Sequence, residues 1–159
     1  MDKVTKIVEA VATIAKQLHE GQVDKAGEDY FSGHLTSVAS MGKTWQEQVV
    51  GYLHDASEDT PHTVEEILTM LDEEFREPLL ISDREELSTA LRLLNHRSTP
   101  DRERYIRAIG ENSLATAVKL NDLTHNMDLS RISNPSEKDL VRVERYKRCL
   151  LYTSDAADE

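Results

Sequence analysis

Between residues 3 and 20, Val4, Ile7, Val8, Val11, Ile14, Ala15 and Leu18 recur at spacings of three and four. That period lays them along one stripe of a helix, so the segment is predicted to be an amphipathic α-helix. Residues 21–33 lose the stripe and carry Gly21, Gly27 and Gly33 among polar residues, which predicts a structured loop. A short helix is expected from about His34 to Met41. Thr44 with Glu47 has the spacing of a capping box and should open a helix holding Trp45, Val49, Val50 and Leu53. Thr63 with Glu66 repeats the signal ahead of Val64, Ile67, Leu68, Leu71 and Phe75, and Ser82 with Glu85 repeats it ahead of Leu87, Ala90, Leu91 and Leu94. Thr99 then Pro100 should start a short helix with Tyr105, Ile106 and Ile109. Asn112 or Ser113 should open a longer one with Leu114, Ala117 and Val118, and Ser136 with Asp139 a last one with Leu140 and Val143. No stretch alternates with period two, and no internal repeat is visible. The expected fold is all-α, a single globule of about six to eight helices.

Length and charge narrow the picture. The chain has 159 residues, 38% of them hydrophobic, enough for one domain with a real core, and no apolar run long enough to span a membrane. The domain is expected over residues 1–150. The tail "LYTSDAADE", residues 151–159, drops the apolar spacing and reads as a frayed or artefactual terminus. Cys149 is the one cysteine, so no disulfide can form within the chain, and the first residues carry no basic-then-apolar export signal. A reducing cytoplasm is the expected location. Thirty acids against 19 Lys and Arg give a formal net charge of -11, which repels nucleic acids and anionic membranes. An anionic ligand would need a local exception to that field. The sequence leaves the oligomeric state open.

Candidate chemistry begins in "GYLHDASEDT", residues 51–60. His54 follows Val50 by four residues and therefore sits at the edge of a core-facing stripe. Asp55 is its neighbour, about 100° further round, so the two can grip one ion only at a helix edge, with other helices supplying ligands. Glu58 and Asp59 follow His54 and Asp55 by four residues each and share their face if the helix continues. A His-Asp pair alone is weak: composition produces one by chance with a probability of roughly 0.4.

A second anomaly strengthens it. In "VKLNDLTHNMDLSRI", residues 118–132, Leu114 and Val118 set an apolar stripe and Asp122 takes its next place. Asn121, His125 and Asn126 lie on or beside the same face. An unpaired buried carboxylate costs several kcal/mol, so Asp122 must be exposed, paired with a base or bound to a metal.

Taken together, "LHEGQVDKAGEDYFSGH", "LHDASEDT" and "VKLNDLTHNM" resemble, in order and spacing, the HD-domain metal-dependent phosphohydrolases. More narrowly, they look like the hydrolase domain of the alarmone (ppGpp) synthetase/hydrolase family and its small stand-alone relatives. The likeness covers roughly residues 3–148, and "RLLNHRSTPDRERYIRAI" with "NMDLSRI" also looks like a subgroup of small phosphohydrolases. The resemblance implies an HD-domain fold with His34, His54, Asp55 and Asp122 as ligands of a divalent metal, Mn²⁺ first. Such nitrogen and oxygen donors suit octahedral divalent ions better than a structural zinc site. It further implies Glu58 and Asp59 as the acidic pair that orients and deprotonates the attacking water, and Lys25 and Asn126 as contacts to a small anionic nucleotide.

Departures qualify the likeness. Relatives usually carry an arginine after the final metal aspartate, where this chain has Leu123, and Asp128 with Leu129 replaces residues that often assist guanine binding. Gly33 precedes His34 and no proline follows it. The metal set reads as intact and the guanosine pocket as altered. Three functions stay open: a ppGpp-type pyrophosphohydrolase, a hydrolase of another nucleotide or phosphoester, and a non-catalytic nucleotide sensor. The remaining candidates read more simply. His62 and His96 are expected in solvent, and Tyr30 is expected to pack its loop. His19 and His125 either line the pocket or are hydrogen-bonded structural histidines.

Overall fold

A computed structural model of the chain describes residues 2–127. The final helix expected from Ser136, the tail, Cys149 and the Asp128–Leu129 pair lie outside the described residues.

Helix α1, Lys3–Leu18, starts where Asp2 accepts a hydrogen bond from the Thr5 amide, at 2.8 Å. It buries Ile7, Ala10, Val11, Ile14 and Ala15, while Val4, in the first turn, is 45% exposed. The loop that follows turns through Gly21 and Gly27, both with φ near +80°, a region closed to most side chains. An isolated antiparallel bridge between Val23 and Asp29 closes it. The chain then re-enters helix earlier than expected, through a π-helical turn over Phe31–Leu35 that runs into α2, Thr36–Ser40.

Helix α3, Trp45–Leu53, occupies the centre. Val49, Val50, Gly51 and Leu53 are all buried, and α3 packs against α1, α2, α6 and α8. Its entrance uses half the expected capping box: Thr44 accepts from the Glu47 amide, while the Glu47 carboxylate turns to the Thr44 hydroxyl and the Lys43 amide. A short α4, Ala56–Asp59, leads to α5, Val64–Phe75, whose Thr63–Glu66 capping box is complete.

The next two starts differ from expectation. Helix α6, Ile81–Leu94, begins at Leu80, with Ser82 inside the first turn. Asp72 of α5 accepts from the Leu79 amide and from Arg84, which fixes the entry by a tertiary contact instead of a cap. Helix α7, Arg102–Gly110, is capped by Asp101 and not by Thr99, because the Asp101 carboxylate takes the Arg104 amide. Between them His96–Ser98 form a 3₁₀ turn. Helix α8, Ser113–Asn126, starts at Asn112 as expected. Leu35, Leu53, Leu68, Leu71, Leu87 and Leu123 are essentially solvent-free. Each contributes about 1.5–3 kcal/mol by leaving water. The described residues form an all-α globule with no strand, and none of their helices is long and apolar enough to cross a membrane.

Candidate metal centre

The site begins where α3 stops. His54 and Asp55 stand between Leu53 and Ala56, so the helix expected to run through Glu58 and Asp59 is broken at the His-Asp pair. One turn earlier, Gly51 lets α3 approach α2: a Cβ there would lie 2.9 Å from the Ala39 Cα. The Gly51 carbonyl accepts a hydrogen bond from His54 Nδ1, at 2.7 Å. This bond fixes the ring and leaves Nε2 as the inward-facing lone pair.

Three other contributions meet that nitrogen. His34 comes from the π-helical turn, where the Leu35 amide reaches back to the Tyr30 carbonyl at 3.0 Å. Its Nε2 lies 3.3 Å from His54 Nε2. Asp55 Oδ2 is 3.2 Å from His54 Nε2 and 3.8 Å from His34 Nε2. Asp122 Oδ1, from α8, is 3.0 Å from His34 Nε2 and 3.4 Å from His54 Nε2. The four residues expected at the metal are therefore brought together from distant parts of the chain. Asp122 is buried where the apolar stripe required, beside Val118 and Leu123.

The donor chemistry of this cluster fits a cation. With His54 donating through Nδ1, a neutral ring presents an acceptor to two carboxylate oxygens that are acceptors too. Beyond the donors that reach the carboxylates from outside the cluster, such a set can face inward together only with added protons or a metal ion between its members. Burial alone drives His54 toward its neutral form, but Asp55, helped by Asp122, outweighs it and holds the imidazole well above its usual range. Burial likewise pushes Asp122 up, and the Lys119 ammonium with His34 and His54 pulls it well below the carboxylate range. His34, His54 and Asp55 form a group that can hold a metal ion.

Around the cluster lies a second layer of polar groups. The Tyr30 hydroxyl donates a short hydrogen bond to Asp55 Oδ2. Burial, then the Asp55 charge, raise the phenol's pKa, so it stays a donor. Lys119 Nζ donates to Asp122 Oδ2 at 3.3 Å and stands 5.3 Å from the centre of the Tyr105 ring. Asn126 Nδ2 donates to Asp122 Oδ1 at 2.9 Å. A cavity of about 280 Å³ opens over His34, Asp55 and Asp122. Lys25 and Asn126, the expected nucleotide contacts, both line it, with Lys25 on the exposed loop. Tyr30 and Lys119 line it as well.

The acidic pair has other partners. Glu58 Oε1 accepts a short hydrogen bond from the His96 amide. Asp59 Oδ2 accepts from Gln22 Nε2 at 3.0 Å and is 3.9 Å from His19 Nδ1. Neither acid lines the cavity.

Of the other histidines, His96 departs from its sequence reading, while His62 and His19 do not. His96 is not in solvent: its ring stacks on Tyr105 with centroids 4.3 Å apart, and its Nε2 is buried without a partner among the described residues. His62 is partly exposed beside Glu66. His19 is buried and bonded to Gln22 Oε1 at 2.8 Å. Tyr30 packs its loop and also reaches the site. Sequence reasoning missed that reach, and it missed Lys119. The second had a signal, since Lys119 precedes Asp122 by three residues and shares its helix face.

No known protein-family model matches the chain.

Proposed function

We propose that this protein is a divalent-metal-dependent phosphohydrolase acting on a small anionic nucleotide, a ppGpp-like 3'-pyrophosphate ester in first place, with Mn²⁺ as its metal. The observation that carries the reading is the meeting of His34 Nε2, His54 Nε2, Asp55 Oδ2 and Asp122 Oδ1 within 3.0–3.8 Å along the described contacts, beneath a cavity with lysines on its wall. His34, His54, Asp55 and Asp122 would hold the ion. A divalent cation there supplies Lewis acidity, lowering the pKa of water and polarising a phosphoryl oxygen.

The chain's own groups do the rest. Lys25 at the rim supplies the local positive charge that a chain of net charge -11 needs to receive an anion. Asn126 orients Asp122 and faces the same cavity. Glu58 and Asp59, within one turn of Asp55, are the candidate proton acceptors. Glu58 has one oxygen on the His96 amide and neither acid lines the cavity, so either would take the proton of the attacking water through an intervening water. Water oxygen bonds to phosphorus, the bond from phosphorus to the 3'-oxygen breaks, pyrophosphate is released, and the proton taken from the water is returned to the 3'-oxygen to give the hydroxyl. The acidic chain with one cysteine suits a reducing cytoplasm.

One observation favours a different substrate with the same chemistry. Leu123, where relatives carry arginine, is fully buried in the core, so it presents no cation to a guanine nucleotide. The test is to load the protein with Mn²⁺ and incubate it with a panel of nucleotides, ppGpp included, while following pyrophosphate and phosphate. Pyrophosphate from ppGpp supports the first reading, and release from another nucleotide alone supports the second. No release from any nucleotide, with metal bound, overturns the hydrolase reading and leaves a sensor.

A further inference from the structure

His125 lies on α8 three residues after Asp122 and is buried. Its ring centre is 5.0 Å from that of His34, and its Nδ1 is 2.8 Å from His34 Nδ1. Two imidazole nitrogens at that separation share one proton between them. The other side of His34 decides which ring owns it. His34 Nε2 faces Asp122 Oδ1, His54 Nε2 and Asp55 Oδ2. A neutral imidazole has a single N–H, so Nε2 can offer its lone pair to a cation only when the proton is on Nδ1. His34 then donates through Nδ1, and His125 accepts.

We infer that His125 is a positioning residue: its Nδ1 lone pair fixes the tautomer and ring angle of His34 so that Nε2 points into the metal cluster. The inference rests on the metal reading given above. It gives His34 the support that the Gly51 carbonyl gives His54. The two supports differ in kind, because a backbone carbonyl survives any side-chain substitution while the His125 acceptor does not. The contact spans 91 residues of sequence, so docking α8 against the Phe31–Leu35 turn is what orients this ligand.

Two substitutions separate positioning from packing. His125→Asn puts a carbonyl oxygen at the same bond count from the backbone as Nδ1 and keeps an acceptor. His125→Phe keeps the ring and its volume but has none. Mn²⁺ binding to the full chain is measured by calorimetric titration, alongside thermal unfolding of the metal-free proteins. The expected result is Asn within about threefold of the parent affinity and Phe weaker by about 10–100-fold, with the metal-free Phe variant melting no lower than the Asn variant. Phe binding like the parent, or Asn binding as weakly as Phe, overturns the inference. If the Phe variant does not fold, His125→Leu replaces it, with the same two outcomes. A parent chain that binds no Mn²⁺ overturns the metal reading itself, which sets that failure apart from a failure of the His125 role.

Discussion

Two of the charged clusters among the described residues obey different rules. On the α5–α6 face, Arg84 contacts Asp72 at 2.8 Å and Glu65 at 3.5 Å, while Arg92 contacts Glu65 at 2.5 Å and Ser88 donates to the same carboxylate. Every acid there has its own base, and the Arg92 side chain is 62% exposed. At the end of α3, two carboxylates and two imidazoles face one another with exposures of 3–22%, and Lys119 answers only part of the negative charge. Water screens the Arg92–Glu65 pair, so it adds little, while Arg84 and Asp72 are half-buried but neutralise one another. The second cluster lacks that screening, and its facing groups call for added protons or a shared cation. Burial together with an unbalanced set of charges separates the candidate binding site from the ion-pair face.

The strongest way to break this comparison is to remove a ligand. Asp122→Ala should lose the bound ion and hydrolysis together, with metal content falling from about one ion per chain to none, because neighbours cannot replace a missing ligand. Elemental analysis after mild purification and metal re-addition reads this directly. Retention of a full equivalent of metal would place the ion elsewhere. Chelating the parent should also lower its melting temperature, since the ion binds the folded form.

Glu58→Gln comes next. It keeps size and hydrogen bonding but removes the base, so turnover should fall by roughly 10²–10⁴ with metal still bound. A parent-like rate with metal in place would end the catalytic assignment. Loss of the metal would instead make Glu58 a ligand or an essential support, although its oxygen meets the His96 amide.

A smaller effect is expected at the rim. Lys25→Ala should raise KM by about tenfold while changing kcat less, as expected for a group that binds substrate without entering the chemistry. Steady-state kinetics at two salt concentrations test it, and an unchanged KM would reduce Lys25 to a solvated loop charge. Least of all, Arg92→Ala on the exposed cluster should cost under about 1 kcal/mol of unfolding free energy and less in high salt. A loss of several kcal/mol in urea titrations would show that exposure does not divide the two clusters.

Much of the fold was legible because helix signals are local. The Thr63–Glu66 box and the Asn112 cap work through side chains reaching amides three residues away, and both formed as their spacing predicted. The starts at Ser82 and Thr99 failed for an equally definite reason. Asp72 ties down the approach to α6 from another helix, and Asp101, not Thr99, takes the Arg104 amide in the first turn of α7.

The candidate site divides in the same way. Asp122 could be singled out from sequence because an acid on an apolar stripe is an energetic contradiction, and its sequence neighbours alone reveal it. His54 could be placed at a stripe edge for the same reason. Only the tertiary structure decided that the helix breaks between Leu53 and Ala56, sending Glu58 to His96 and Asp59 to Gln22. It likewise decided that Tyr30 reaches Asp55, that the His96 ring lies against Tyr105, and that His125 meets His34. Among the described residues, sequence by itself determined most of the helices and which residues could not rest unpartnered in a core, since both follow from hydrogen bonds and burial along a single helix. Which partner each such residue finds depends on how α3, α8 and the Phe31–Leu35 turn pack together, and that packing is set by contacts between residues far apart in the chain.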